Sequence, residues 1–206
     1  MHPTIFEAFD EVCRSESVGG AILEVGAVPG DDTLLRLPAL RNASSRIGIN
    51  LEPAFRDGAI EIVSGTGNDM RQFADGSFDA VLSNSVLEHD RAFWLTLAEI
   101  RRVTRPGGLM AIGVPGFGAM KTEPLWRLAR LAGRVPFLGR RPRAVAAWLG
   151  VAAPTLGLHR FPEDYYRFSE AAVRDVFLEG LAGVKVRQIL MPPRFIGWGR
   201  MPLARG

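Results

Sequence analysis

The residues best suited to chemistry lie in ILEVGAVPGDDT, residues 22–33, where an apolar run carries one acid, Glu24, and is followed by Gly26 and Gly30. Glycine at a strand-to-turn junction lets a ligand approach the backbone without meeting a Cβ, and open parallel sheets bind ligands at the carboxyl ends of their strands. The same pattern also describes a plain tight turn, with Glu24 only capping it. Polar residues recur where later apolar runs end: Asn50 and Glu52 after the second, Asn68, Asp69 and Met70 after the third, Ser83 and Asn84 at the end of the fourth. A polar side chain at the end of the second strand is placed to hydrogen-bond a ribose hydroxyl. The dinucleotide fingerprint GxGxxG is not met, since position 28 is Val and the second glycine comes one residue late, which argues against a nicotinamide enzyme. Neither GxSxG nor GxxxxGK[ST] occurs, so serine hydrolysis and phosphate-loop chemistry find no support.

The elements that must position these residues follow from the spacing of apolar side chains. Short, nearly continuous apolar runs at AILEV (21–25), RIGIN (46–50), AIEIV (59–63), FDAVLS (78–83) and LMAIGV (109–114) predict parallel strands covered on both faces. An opening helix over 4–16 would bury Ile5, Phe9 and Val12. A second helix, over about 91–104, would bury Phe93, Leu97 and Ile100, with Asp90 as its N-cap and Pro106-Gly107-Gly108 as its stop. A last helix from Ser169 to Leu178 and strands near 184–190 and 195–199 would close the sheet with an antiparallel pair. The expectation is an α/β fold: a doubly wound, mostly parallel seven-stranded sheet with an antiparallel final strand. Residues 115–162 are too long for an ordinary connection and are read as an insertion after strand five, within one domain spanning 1–206.

Composition narrows the setting. A chain of 206 residues that is 47% apolar can bury one substantial core, and its single Cys13 makes no internal disulfide. The N-terminus has no signal-peptide core and no run of about 18 apolar residues follows, so a soluble, cytoplasmic protein is the expectation, with no metal. The net charge of +3 hides a patch: residues 121–143 carry one Lys and six Arg against one Glu, a local +6 that leaves the rest at −3. No nucleic-acid motif accompanies the patch, and no nucleic-acid partner is expected.

Taken in order, Gly26, GINLE (48–52), Asn68-Asp69-Met70, DGSFDAVLSNSVLEH (75–89) and RPGG (105–108) resemble the Rossmann-like, class I S-adenosylmethionine-dependent methyltransferases, particularly the small-molecule branch of the ubiquinone/menaquinone type. The resemblance covers residues 20 to about 115. It implies S-adenosyl-L-methionine as cofactor, with Glu24, Gly26 and Gly30 around its methionine part and Asn50 at the ribose position. It further implies Asp69 as acceptor for the adenine amino group, the Met70 backbone N–H beside the ring, and Ser83 and Asn84 lining the site. Val28 and Pro29 replace the middle of the family's ExGxGxG, and Asn50 stands where an acid is usual, with Glu52 two residues on to compensate. Asn68 and Asp69 also suit the start of a short helix.

Methyl transfer from a sulfonium depends chiefly on positioning, and a base is optional. For an alcohol or phenol the candidates are His89, His159 and Tyr165, beside Tyr166. His89 equally suits a helix-start histidine bonded to a carbonyl, and the tyrosines suit packing. The insertion, where Leu125, Trp126, Leu128 and Leu131 interleave with Arg127, Arg130 and Arg134, fits three roles: a pocket for an apolar or anionic small-molecule acceptor, a peripheral membrane contact through 121–143, or a lid with a solvated arginine face. O-methylation of a small-molecule, glycan or lipid-linked acceptor is slightly favoured. The alternative is a non-catalytic binding protein with a degenerate cofactor loop.

Overall fold

The computed structural model describes residues 1–116, 163–190 and 192–203. Helix α1, Pro3–Ser15, starts on a proline, with the His2 ring accepting from the Thr4 N–H, and buries Ile5, Phe9 and Val12 along one face. The strands are β1 (Ala21–Val25), β2 (Ser45–Asn50), β3 (Phe55–Asp57), β4 (Ile60–Ser64), β5 (Phe78–Asn84), β6 (Thr104–Pro115), β7 (Ala182–Leu190) and β8 (Pro193–Arg200). They form one sheet in the order β3-β4-β2-β1-β5-β6-β8-β7. The pairs β4–β2, β2–β1, β1–β5 and β5–β6 are parallel, while β8 runs antiparallel to both β6 and β7. The expected doubly wound sheet with an antiparallel end is thus present.

Two details of the sheet differ from expectation. The sheet has eight strands, not seven, because β3 folds back antiparallel on β4 through Gly58, whose φ is +58°. All three β3 residues are exposed, so no inside-outside alternation marks the strand in the sequence. Strand β6 begins at Thr104, directly at the end of helix α2 (Phe93–Val103), and Pro106-Gly107-Gly108 falls inside it, beside a register shift against β5. The crossover from β1 to β2 holds only two single 3-10 turns, Leu34–Arg36 and Pro38–Leu40.

Each face of the sheet carries its own core. On one, Phe9 and Val12 of α1 and Leu34, Leu35 and Leu40 of the crossover cover Ile22, Ala80 and Leu82. On the other, Leu97, Ile100 and Val103 of α2 and Val173 and Phe177 cover Leu23, Val81, Met110 and Ile112. The last two belong to a turn of π-helix, Ala172–Phe177, where an α-helix was expected; Ser169 Oγ accepts from the Ala172 N–H at its start. Among the described residues, no helix is long and apolar enough to cross a membrane.

Candidate active site

The loop after β1 is held from below. Glu24 is fully buried, and its Oε2 accepts from the Thr33 hydroxyl and from the Leu35 N–H at 3.2 Å. Burial raises its pKa to about 7, against the opposing pull of Thr33, Leu34 and Leu35. Glu24 therefore ties the far end of the loop to its strand. Asn50 ties the near end: its Nδ2 donates to the Ala27 carbonyl at 2.6 Å, and its Oδ1 accepts from the Leu51 N–H at 2.7 Å. Glu52 stands exposed beyond it. Between these ties Gly26 and Gly30 adopt φ of +86° and +87°. A Cβ at Gly30 would meet nothing within 4 Å, so the loop presents bare backbone to open space, as a cradle for a ligand requires.

The loop after β4 is knotted to the start of α2. Asn68 Nδ2 lies 2.7 Å from Asp90 Oδ2 and 2.9 Å from Thr96 Oγ1, and Asp90 also accepts from the Ala92 N–H and the Thr96 hydroxyl. The N-cap of α2 is Ala92, without a side-chain cap, and not Asp90 as expected: the helix starts two residues later, and the Asp90 carboxylate serves the turn before it. Asn68 is consumed in this knot. Asp69 is half-buried and paired with Arg71, whose hydrogen bond holds its carboxyl below the usual range. The Met70 N–H, assigned by resemblance to the adenine edge, donates instead to Glu99 Oε2 at 2.7 Å, and the Met70 side chain lies in the core. Glu99 is in turn gripped by Arg102.

The carboxyl end of β5 is the most polar buried spot. Ser83 Oγ is buried without a hydrogen-bond partner. Asn84 Oδ1 and Ser85 Oγ both accept from Arg194 of β8, at 2.5 and 3.0 Å, and Ser85 holds a left-handed φ of +58°. Arg194 is 8% exposed and Glu88 1%. Burial pushes the Glu88 carboxyl up to about 7; Arg194 and Arg167 pull it down and Asp164 pushes it up. Burial lowers the Arg194 pKa, against the pull of Glu88. The Glu88 carbonyl accepts from the N–H groups of Tyr165 (2.8 Å) and Tyr166 (3.2 Å), which brings 163–168 over the strand ends.

His89 Nδ1 lies 3.3 Å from the Glu163 carbonyl oxygen. Tyr166 packs on Phe93 and Phe168 and donates its hydroxyl to the Arg91 carbonyl, so it fastens this segment to α2. Tyr165 is exposed, with the Arg91 guanidinium 5.8 Å from its ring centroid. His159 and the basic segment 121–143 lie outside the described residues. Glu88 and Arg194 did not figure in the sequence reading. An acid amid SVLEH is a faint signal for the first, and the second lies 110 residues from Asn84, so no local pattern links them.

A family model described as a methyltransferase domain matches residues 23–112, the span of β1 to β6. An uncharacterized methyltransferase of Mycobacterium avium strain 104 is 36% identical over 104 residues, covering 47% of this chain and 40% of that one. A demethylmenaquinone methyltransferase of Corynebacterium glutamicum is 37% identical over 87 residues, covering 39% and 37%. The chain thus spans about two fifths of the length of these curated relatives. Among solved structures, a putative methyltransferase of Haloferax volcanii in complex with the Trm112 activator is similar at TM-score 0.60 and 16% identity, over 98% of this chain and 97% of that one. The 1,6-didemethyltoxoflavin-N1-methyltransferase of Burkholderia thailandensis, with bound 1,6-didemethyltoxoflavin and S-adenosylhomocysteine, is similar at TM-score 0.58 and 15% identity, over 96% and 78%. Residues 23–112 are thus similar to a methyltransferase domain, and the sheet that carries them has the Rossmann-like fold of these solved structures.

Proposed function

We propose that this protein binds S-adenosylmethionine over the carboxyl ends of β1, β2, β4 and β5 and transfers its methyl group to a small-molecule acceptor, with oxygen favoured as the receiving atom. The observation that carries this reading is the loop 26–30, which has two left-handed glycines, is anchored by Glu24 and Asn50, and is open above Gly30. The cofactor supplies an activated methyl on a positively charged sulfur. The protein's part is to hold cofactor and acceptor in line and to exclude competing nucleophiles. Ser83, with its unpartnered hydroxyl, is available to a polar group of the cofactor, and exposed Glu52 is available to the ribose in place of Asn50, whose amide is already engaged. Asp69 is half-buried beside the same strand ends and keeps its proposed role at the adenine amino group.

His89, His159 and Tyr165 remain candidates for a proton acceptor, and 115–162 for acceptor recognition within a single domain. Calorimetry with S-adenosylhomocysteine tests the reading directly. A binding isotherm competed by S-adenosylmethionine is the expected result, and the absence of heat for either ligand would favour a partner-binding protein that keeps only the sheet. Asn50, drawn into the fold by Ala27 and Leu51, is the observation that gives this second reading weight.

A further inference from the structure

We infer, on the reading that this sheet transfers a methyl group, that Glu88 and Arg194 form the subsite that receives a neutral hydroxyl of the acceptor. Besides Ser83 Oγ, two buried side-chain atoms near the carboxyl end of β5 have no hydrogen-bond partner among the described residues: Glu88 Oε2, an acceptor, and Arg194 Nε, a donor. Buried polar groups are almost always satisfied, and buried ionic ones cost most when they are not, so such a pair marks a place where something else completes the bonding. One hydroxyl satisfies both, donating its proton to Oε2 while its lone pair accepts from Nε.

The charges favour a neutral group. Among the described residues, Glu88 and Asp164 face Arg194 and Arg167, two acids against two guanidiniums, and Asp164 is paired with Arg167. An anion added here would meet the Glu88 carboxylate, and a cation the two arginines. Arg194 Nη1 donates to both Asn84 and Ser85, so the guanidinium is fixed by the strand end whose residues line the proposed methyl site.

The chemistry balances without a further reagent. As the acceptor oxygen takes the methyl carbon and the sulfonium becomes a thioether, Glu88 takes the hydroxyl proton on Oε2 and later returns it to solvent. A carboxyl raised by burial to about 7 is matched to that task.

The test uses the full chain, tritium-labelled S-adenosylmethionine, and a panel of phenol, catechol and a sugar alcohol beside benzoate and benzylamine. Labelling is expected on hydroxyl compounds alone. E88Q should lower turnover roughly 100-fold and flatten the rise of rate with pH, while calorimetric affinity for S-adenosylhomocysteine stays within about threefold. Should E88Q not fold, R194Q decides: removing the guanidinium that lowers the Glu88 pKa should move the rising limb to higher pH. Overturning results are an unmoved limb, full turnover by folded E88Q, labelling of benzoate or benzylamine instead, or no labelling of any hydroxyl compound by wild type that binds S-adenosylhomocysteine. Wild type that does not bind S-adenosylhomocysteine defeats the methyltransferase reading itself.

Discussion

A methyl group added at Gly26 would lie 2.1 Å from Val86 Cγ2, whereas one at Gly30 would meet nothing, although both residues share a left-handed backbone. Gly30→Ala should therefore cost only the backbone strain, about 1 kcal/mol, and weaken S-adenosylhomocysteine binding by crowding the cradle. Gly26→Ala adds a steric collision and should cost about 2–4 kcal/mol, part of which Val86→Ala recovers in the double variant. Urea denaturation beside calorimetry separates these effects; equal stability losses at the two positions would refute the distinction. At Asp69, half-buried with its carboxylate paired to Arg71, Asp69→Ala should leave the melting temperature unchanged and weaken S-adenosylhomocysteine binding roughly tenfold. Wild-type affinity in that variant would remove Asp69 from the adenine site. The chemistry-bearing residues legible in the sequence were those whose neighbours along the chain announce them, such as Gly26 after a strand. Asn50, Asn68 and Met70 show the limit of that method. Their polar groups meet Ala27, Asp90 and Glu99, partners 20 to 30 residues away that spacing alone does not reveal.

At the scale of elements, Glu24 makes the loop between β1 and β2 sensitive to pH. Its pKa in the fold, about 7, lies above the ordinary carboxylate value of about 4.3 in the unfolded chain, so the folded state binds the extra proton. Stability from this group is therefore fully present below about pH 4 and declines as pH rises to about 7, by up to about 4 kcal/mol. Glu24→Gln should flatten that decline in denaturation curves between about pH 4 and 7; an unchanged slope would place the titration elsewhere. Continuous apolar runs made β1, β2, β4 and β5 readable, since strands covered on both faces leave that mark. Strand β3 left none, because each of its side chains faces solvent and its pairing rests on backbone hydrogen bonds with β4. The start of β6 was obscured for another reason: Pro106-Gly107-Gly108 has turn composition, yet the strand runs through it with Gly107 at φ +73° and a shifted register.

Across the whole molecule, the two proposed sites meet at the carboxyl end of β5 and extend from it in opposite directions across the sheet. The cofactor residues sit on β1, β2, β4 and β5, before position 90, whereas the polar spot at Glu88 is completed by Arg194 of β8 and by Asp164 and Arg167. The chain leaves and re-enters the described fold at one point. Gly116 bridges to Phe168, the Phe168 N–H donates to the Pro115 carbonyl, and the N–H groups of Tyr165 and Tyr166 reach the Glu88 carbonyl. Both ends of the segment holding the basic patch are thus fastened beside Glu88 and the end of β6. Changing Arg127, Arg130 and Arg134 together to Gln removes three charges while keeping side-chain length and helix propensity. We expect this triple variant to bind S-adenosylhomocysteine within a few fold of wild type and to lose labelled methyl transfer into an extract of the native source. Normal transfer at both low and high salt would make the patch a solvated surface, and collapse of S-adenosylhomocysteine binding would show that the two sites are not separable.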